Sequence, residues 1–177
     1  MSEEVAAIIE HARIARAEGR LQAAMVEYLR AAELSKASGQ TIERIDALQG
    51  IGQIERDLGR TDAACVQYRE AVDLCRQAEA PLKLAHALRH VADIERELGS
   101  HVSAVGAASE ALDLYRLHPQ VPSLELANTL RVLALAQESV GRVLLAVPAW
   151  REARDLYESA GVEAGVKECE SHIRDRQ

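Results

Sequence analysis

Apolar and small residues recur along this chain at helical spacing, and the recurrence breaks at glycines. Upstream of Gly59 the apolar positions are Leu48, Ile51, Ile54 and Leu58, with Gly52 among them. Downstream they are Ala64, Tyr68, Ala71, Val72 and Leu74. Both stripes fit a 3.6-residue period, and neither alternates as a strand would. The same arrangement surrounds Gly19, Gly99 and Gly141, so the glycines are spaced by 40, 40 and 42 residues. Seven residues before each stands a small residue: Ala12, Gly52, Ala92, Ala134. Five after it stands Ala24, Ala64, Ala104 or Ala146, and twelve after it Ala31, Ala71, Ala111 or Ala153. Fifteen after it stands Leu34, Leu74, Leu114 or Leu156. Recurrence at this period predicts stacked helical hairpins rather than one globular core. The glycine ends the first helix in a left-handed conformation, and Thr61 and Asp62 offer capping oxygens or favourable charge to the second. Alanines allow close helix approach, while the leucine and aromatic positions are expected to fill the wider space between hairpins.

These residues carry a resemblance to the tetratricopeptide repeat family, in its longer-period form of about 40 residues. That family has a small residue in helix A, a glycine at the turn and Ala/aromatic/Ala spacing in helix B. The helix B aromatic is Tyr28, Tyr68 or Trp150, with Ala108 breaking the series. The tryptophan usual early in helix A is replaced by Ile8, Leu48, Leu88 or Leu130, and the later tyrosine by Ala15, Glu55, Glu95 or Gln137. The resemblance implies an all-α, right-handed superhelical α-solenoid of four helix-turn-helix repeats plus a C-terminal capping helix, in one domain. The repeats are expected at about 3–38, 41–79, 81–117 and 123–160, with the cap at 162–175.

Local chemistry refines the boundaries. Ser2, Glu3 and Glu4 suit a helix start, through a capping hydroxyl and two carboxylates. Pro81 opens the third helix A. The link from His118 to Ser123 holds two of the four prolines and accounts for the 42-residue step. Pro148 falls about one turn into the last helix B, so a late start or a kink is expected there. Val162, Val166, Cys169 and Ile173 form one narrow stripe, as a cap covering a final apolar face would. No such cap precedes Val5, Ile8, Ile9 and Ile14, so an exposed apolar patch is expected on the first hairpin.

Charge and composition exclude several function classes. Twenty-one basic against twenty-eight acidic residues give a net charge of −7, which argues against nucleic acid. No apolar run approaches a membrane span, and the Met-Ser-Glu-Glu start is not a signal peptide. Cys65, Cys75 and Cys169 have no metal-ligand spacing and read as reduced thiols of a cytoplasmic protein. No phosphate-binding glycine motif and no activated nucleophile is present, so no enzyme and no cofactor is expected. Gly50 and Gly52 lie within a helix and mark close packing. His86, His90 and Asp93 share a helical face at a spacing that can hold a metal, but without a companion glutamate they read as a polar groove wall, and no metal site is assigned.

The resemblance implies that helix A residues facing neither core line a concave groove. The matching positions are Ala6, Ile9, Arg13 and Arg16; Asp46, Gln49, Gln53 and Arg56; His86, Arg89, Asp93 and Arg96; Asn128, Arg131, Leu135 and Glu138. Six arginines stand there against three carboxylates, the reverse of the chain's overall balance. Arginine matches carboxylates through its bidentate fork, and His86 and His90 would add charge in acid. The competing reading has the arginines serving their own helices, with Asp93 pairing Arg89 and Arg96, and Glu10 pairing Arg13. The expected function is a non-enzymatic adaptor or scaffold that binds an acidic or carboxylate-bearing protein segment. Two alternatives stand beside it. One is a scaffold that self-assembles into a homo-oligomer through the N-terminal hairpin, and the other is the sensor part of a bacterial-type regulator.

Overall fold

A computed structural model describes residues 2–118 and 120–174, Ser2 by its backbone alone. The described residues form nine α-helices: α1 (Ser2–Ala17), α2 (Leu21–Ser38), α3 (Thr41–Asp57), α4 (Thr61–Gln77), α5 (Pro81–Glu97), α6 (His101–Arg116), α7 (Ser123–Ser139), α8 (Val143–Ser159) and α9 (Glu163–Arg174). The class is all-α, and the repeating unit is the helical hairpin. Two compact units divide the chain, Met1–Ala87 and Leu88–Gln177, with the boundary inside α5. Among the described residues no helix is long and apolar enough to cross a membrane. The side chain of Ser2, Pro119 and the last residue expected in the cap lie outside the described residues.

The hairpin turns are closed by backbone, not by side-chain caps. Gly59 adopts φ 72°. Its left-handed backbone lets Arg60 N donate to Glu55 O at 2.8 Å and Gly59 N donate to Arg56 O at 2.9 Å. The same closure joins Ser100 to Glu95, Arg142 to Gln137 and Val162 to Tyr157. The capping role expected of Thr61 is therefore not used: the N-cap of α4 is Arg60, with no side-chain hydrogen bond. Asp62 does lie in the first turn, where its charge is favourable. Between α4 and α5 the left-handed position is held by Glu79, at φ 50°.

In the first unit α1 packs on α2 and on α3, and α3 packs on α4. Its core joins Val5, Ile8, Ala12, Tyr28, Ile51 and Ile54. The exposed patch expected from Val5, Ile8, Ile9 and Ile14 is accordingly not formed by these four residues. Val5 and Ile8 are buried, Ile9 packs against the same core, and Ile14 alone of the four is exposed. The reason is that α1 meets two helices, so a wider arc of its surface is covered than one neighbour could manage.

The second unit stacks α6 on α7, α7 on α8 and α8 on α9. Trp150, Tyr157, Leu130, Leu112, Cys169 and Ile173 meet in one core, and burying a side chain of this size contributes about 1.5–3 kcal/mol. On α9, Gly165, Cys169 and Ile173 are buried while Lys167, Glu170 and Arg174 are exposed, the one-sided pattern of a cap. Helix α8 begins at Val143 with Pro148 inside it, so the expected late start does not occur. The first turn forms before the proline, as Ala146 N donates to Arg142 O at 3.2 Å.

All eight recurring helix B alanines are fully buried, which places them at close helix contacts. The recurring leucine behaves differently. Leu34 is exposed and Leu74, Leu114 and Leu156 are half-buried, so this position edges the core instead of filling it. The next residue along carries the burial: Ser35, Cys75, Tyr115 and Tyr157.

Candidate functional site

The odd-numbered helices of the first unit leave an open cleft of about 700 Å³, lined from α1, α3 and the first turns of α5. Arg13 and Arg16, Gln49 and Gln53, and His86 all border it, so the structure brings these expected residues together. Arg56 lies on the same helix as Gln49 and Gln53 and is half-buried. Tyr28 and Tyr68 also reach the cleft, although they belong to helix B. They do so because Gly50 and Gly52 lack side chains. A β-carbon on Gly52 would come within 2.8 Å of the Tyr68 ring. Burial raises the Tyr28 hydroxyl above its usual range, opposed by Arg16 and Arg13, so it stays a neutral hydrogen-bonding group at the edge of the cleft.

The polar groups of this cleft are already ordered. Gln49 Nε2 donates to Lys83 O at 3.1 Å, and Lys83 pairs with Asp46. Tyr68 OH donates to Gln53 Oε1 at 3.4 Å. Arg16 reaches across to Asp57 with two donors, at 2.7 and 3.3 Å. Arg13 pairs with Glu10 one turn away and remains 71% exposed. Lys83 and the two tyrosines were not among the groove residues the sequence singled out. The paired small positions at Gly50 and Gly52, facing helix B aromatics, were the signal that could have found the tyrosines.

In the second unit the expected residues are tied to neighbouring helices or, for Arg96 and Asp93, to each other on α5. Arg89 pairs with Glu125 at 3.5 Å, and Tyr115 OH donates to the same carboxylate at 3.3 Å. Arg96 pairs with Asp93 at 3.0 Å, Arg131 with Glu168 of α9 at 2.7 Å, and Tyr157 OH donates to Asn128 at 2.8 Å. The hydrogen bond that Arg131 donates to Glu168 raises Arg131 above its ordinary value, against the opposing effect of burial. His90 departs from the expected groove wall. It is buried, at 7% exposure, with its Nε2 3.1 Å from the Arg89 guanidinium. Among the described residues no group of three His, Cys, Asp or Glu side chains is placed to hold a metal ion. The three cysteines are buried and unpaired with one another, and burial pushes the Cys75 and Cys169 thiols up to about 11.

Residues 45–77, which run from α3 through α4, match the family model described as tetratricopeptide repeat. Curated proteins give no significant match. Among solved structures, the apo form of RapI superposes with a TM-score of 0.82 at 12% identity, covering 98% of this chain and 70% of that one. BtubC (BKLC) from P. vanneervenii gives 0.77 at 15% identity, over 89% of this chain and 64% of that one. A Rap protein complexed with competence and sporulation factor gives 0.73 at 15% identity, over 90% of this chain and 44% of that one. The chain thus spans between 44% and 70% of the length of these three structures. At such identities the likeness establishes fold alone. Residues 45–77 match the tetratricopeptide repeat model, and the chain that carries them has an all-α helical-repeat fold similar to that of RapI and BtubC.

Proposed function

We propose that this chain is a non-enzymatic binding module that takes a segment of another protein in the cleft of its first unit. The observation that carries this reading is the cleft itself. It is open, it is lined from three successive odd-numbered helices, and it holds the amides of Gln49 and Gln53 beside the Tyr28 and Tyr68 rings. Side-chain amides can hydrogen-bond both donors and acceptors of a peptide backbone, and aromatic rings supply rigid contact area. Nothing comparable supports a reaction.

The segment is proposed to carry carboxylates, with Arg13 and Arg16 as its anchors. Each already holds a carboxylate, so binding exchanges one partner for another. Exchange costs least at Arg13, whose pair is exposed and is worth at most about 1 kcal/mol. In the second unit Arg131 holds Glu168 in a less exposed pair, and a ligand there would displace a contact to α9. The second reading is a sensor part of a longer regulator. It is favoured by the fold likeness to Rap proteins, of which this chain spans only part.

An array of random-sequence peptides tests the first reading. Bound sequences should be enriched in Asp and Glu, and raised salt should weaken them because exposed pairs are screened. Arg13→Glu with Arg16→Glu should reduce binding by roughly tenfold or more, and Gln49→Ala with Gln53→Ala should weaken all sequences alike. Peptides without acidic enrichment, held equally by both variants, would place binding elsewhere on the molecule.

A further inference from the structure

The first unit carries a second open groove, of about 770 Å³, lined by α2, the second half of α3 and α4. It shares no lining residue with the cleft. Helix α2 accounts for it by being apolar on two faces. Ala24, Tyr28, Ala31 and Ala32 belong to the core of the unit. Leu21, Met25 and Leu29 form another stripe, each about 100° around the helix from a core-side position, and this stripe lines the groove. Its residues stand at i, i+4 and i+8, so it runs for ~12 Å along α2. Ile51 and Leu58 add apolar surface from the side of α3.

The stripe is particular to this hairpin. The position of Leu29, ten residues after the turn glycine, holds Arg69, Ser109 and Arg151 in the other three. Leu29 keeps 49% exposure, and Val26, beside the stripe, keeps 55%. An apolar surface of this kind, rimmed by polar groups, marks a docking site.

The charge at one end of the groove says what docks. The charged lining residues are Arg20, Arg60 and Glu55, and the two arginines stand in the α1–α2 and α3–α4 turns. Arg20 pairs with Glu18, and Arg60 with Glu55 at 3.4 Å. Arg60 is 62% exposed against 14% for Glu55, so the guanidinium is what this end presents. The groove is therefore locally positive in a chain of net charge −7.

We propose that this groove seats an amphipathic α-helix of a partner protein, apolar on one face and carrying carboxylates at the end that meets Arg20 and Arg60. The walls decide for a helix over an extended segment. They are themselves helices, whose backbone groups bond within each helix, and their apolar side chains offer an incoming backbone no partners. A helix brings its own hydrogen bonds satisfied, whereas an extended chain would bury donors and acceptors unpaired. The cleft differs here, because the Gln49 and Gln53 amides border it. Apolar anchors at i, i+4 and i+7 of the incoming helix span ~10 Å, which matches the stripe on α2. Carboxylates displace Glu18 and Glu55 at little cost, since exposed pairs are weak.

The test uses two synthetic helical peptides of about eighteen residues with the same leucines at i, i+4 and i+7. One carries glutamates at one end, and the other carries lysines in their place. Anisotropy titrations against the full chain should show the acidic peptide binding roughly three- to tenfold more tightly, against the sense of the chain's net charge. Leu29→Ser, which installs the residue type of Ser109, should weaken both peptides by roughly tenfold. Arg20→Glu with Arg60→Glu should reverse the preference. Arg13→Glu with Arg16→Glu should change neither peptide, which separates this groove from the cleft. Failure of both peptides to bind, equal binding of the two, tighter binding of the basic one, or affinities unmoved by the groove variants overturns the proposal. So does a chain that sediments as a dimer and becomes a monomer in Leu29→Ser, because the occupant is then a second copy. Should Leu29→Ser fail to fold, the reversal by the two arginine substitutions decides the matter by itself.

Discussion

The Tyr28 ring lies against the bare backbone of Gly50: a β-carbon there would sit 2.4 Å from Cε1 and Cζ. Tyr157 has the same relation to Gly165 on α9, at 2.6 Å from Cγ. The two contacts differ in how they can yield. At Gly50 the outer edge of the ring is met, which can tilt away, whereas at Gly165 the root of the ring is met, which cannot. Gly50→Ala should cost about 1–2 kcal/mol and Gly165→Ala about 2–3 kcal/mol. Helix propensity alone predicts the opposite, a gain of about 1 kcal/mol for each. Denaturant unfolding of the two variants checks both the sign and the order.

Glu79 occupies, at φ 50°, the left-handed turn position that glycine fills at Gly19, Gly39, Gly59, Gly99, Gly141 and Gly161. A side chain there costs backbone strain that glycine avoids. Glu79→Gly should stabilise the first unit by about 0.5–1 kcal/mol. Gly59→Ala, at φ 72° with open space around it, should destabilise by a similar amount through backbone strain alone. Thermal melts of the pair should move in opposite directions.

Pro148 sits inside α8 and is exposed. It withholds the N–H that Leu144 O would accept, and its ring crowds that carbonyl. Pro148→Ala should raise stability by about 1–3 kcal/mol. Slower amide exchange over residues 143–148 would accompany the gain. An unchanged melt would mean that the first turn of α8 adds nothing to the stability of the second unit.

Alkaline pH should destabilise the fold before it damages the chain. Burial pushes Cys75 and Cys169 from the usual 9.0 to about 11, and Tyr157 from 10.0 to about 12. Each group prefers its neutral form in the folded state. Its contribution is complete below the ordinary value and is lost as pH rises through the folded value. Stability should fall steadily from about pH 9 to pH 12. Cys75→Ala and Cys169→Ala should each flatten that decline, and native-state alkylation of both thiols should be slow.

The repeat period, the hairpin unit and the identity of the turns were legible in the sequence, because each is a local requirement. A 3.6-residue stripe specifies a helix, and Gly59 or Gly141 specifies a left-handed stop. The buried alanines were legible for the same reason, since close approach admits nothing larger. Burial at the recurring leucines was not legible, because Leu34 and Ser35 differ by 100° around the helix and only the packing partner decides which turns inward. Val5 and Ile8 could not be assigned without knowing that α1 meets α3 as well as α2. The candidate site divided along the same line. Arg13, Gln49 and Gln53 follow from the register of helix A, but Tyr28 and Tyr68 reach the cleft only because facing glycines let the rings through. Whether Arg131 faces solvent or Glu168, and whether Glu138 collects Trp150 and His172, depends on residues 12 to 37 positions apart. Sequence determines the conformation of each segment through contacts a few residues long. Which charges and rings then meet is decided by the angle and depth at which the segments pack.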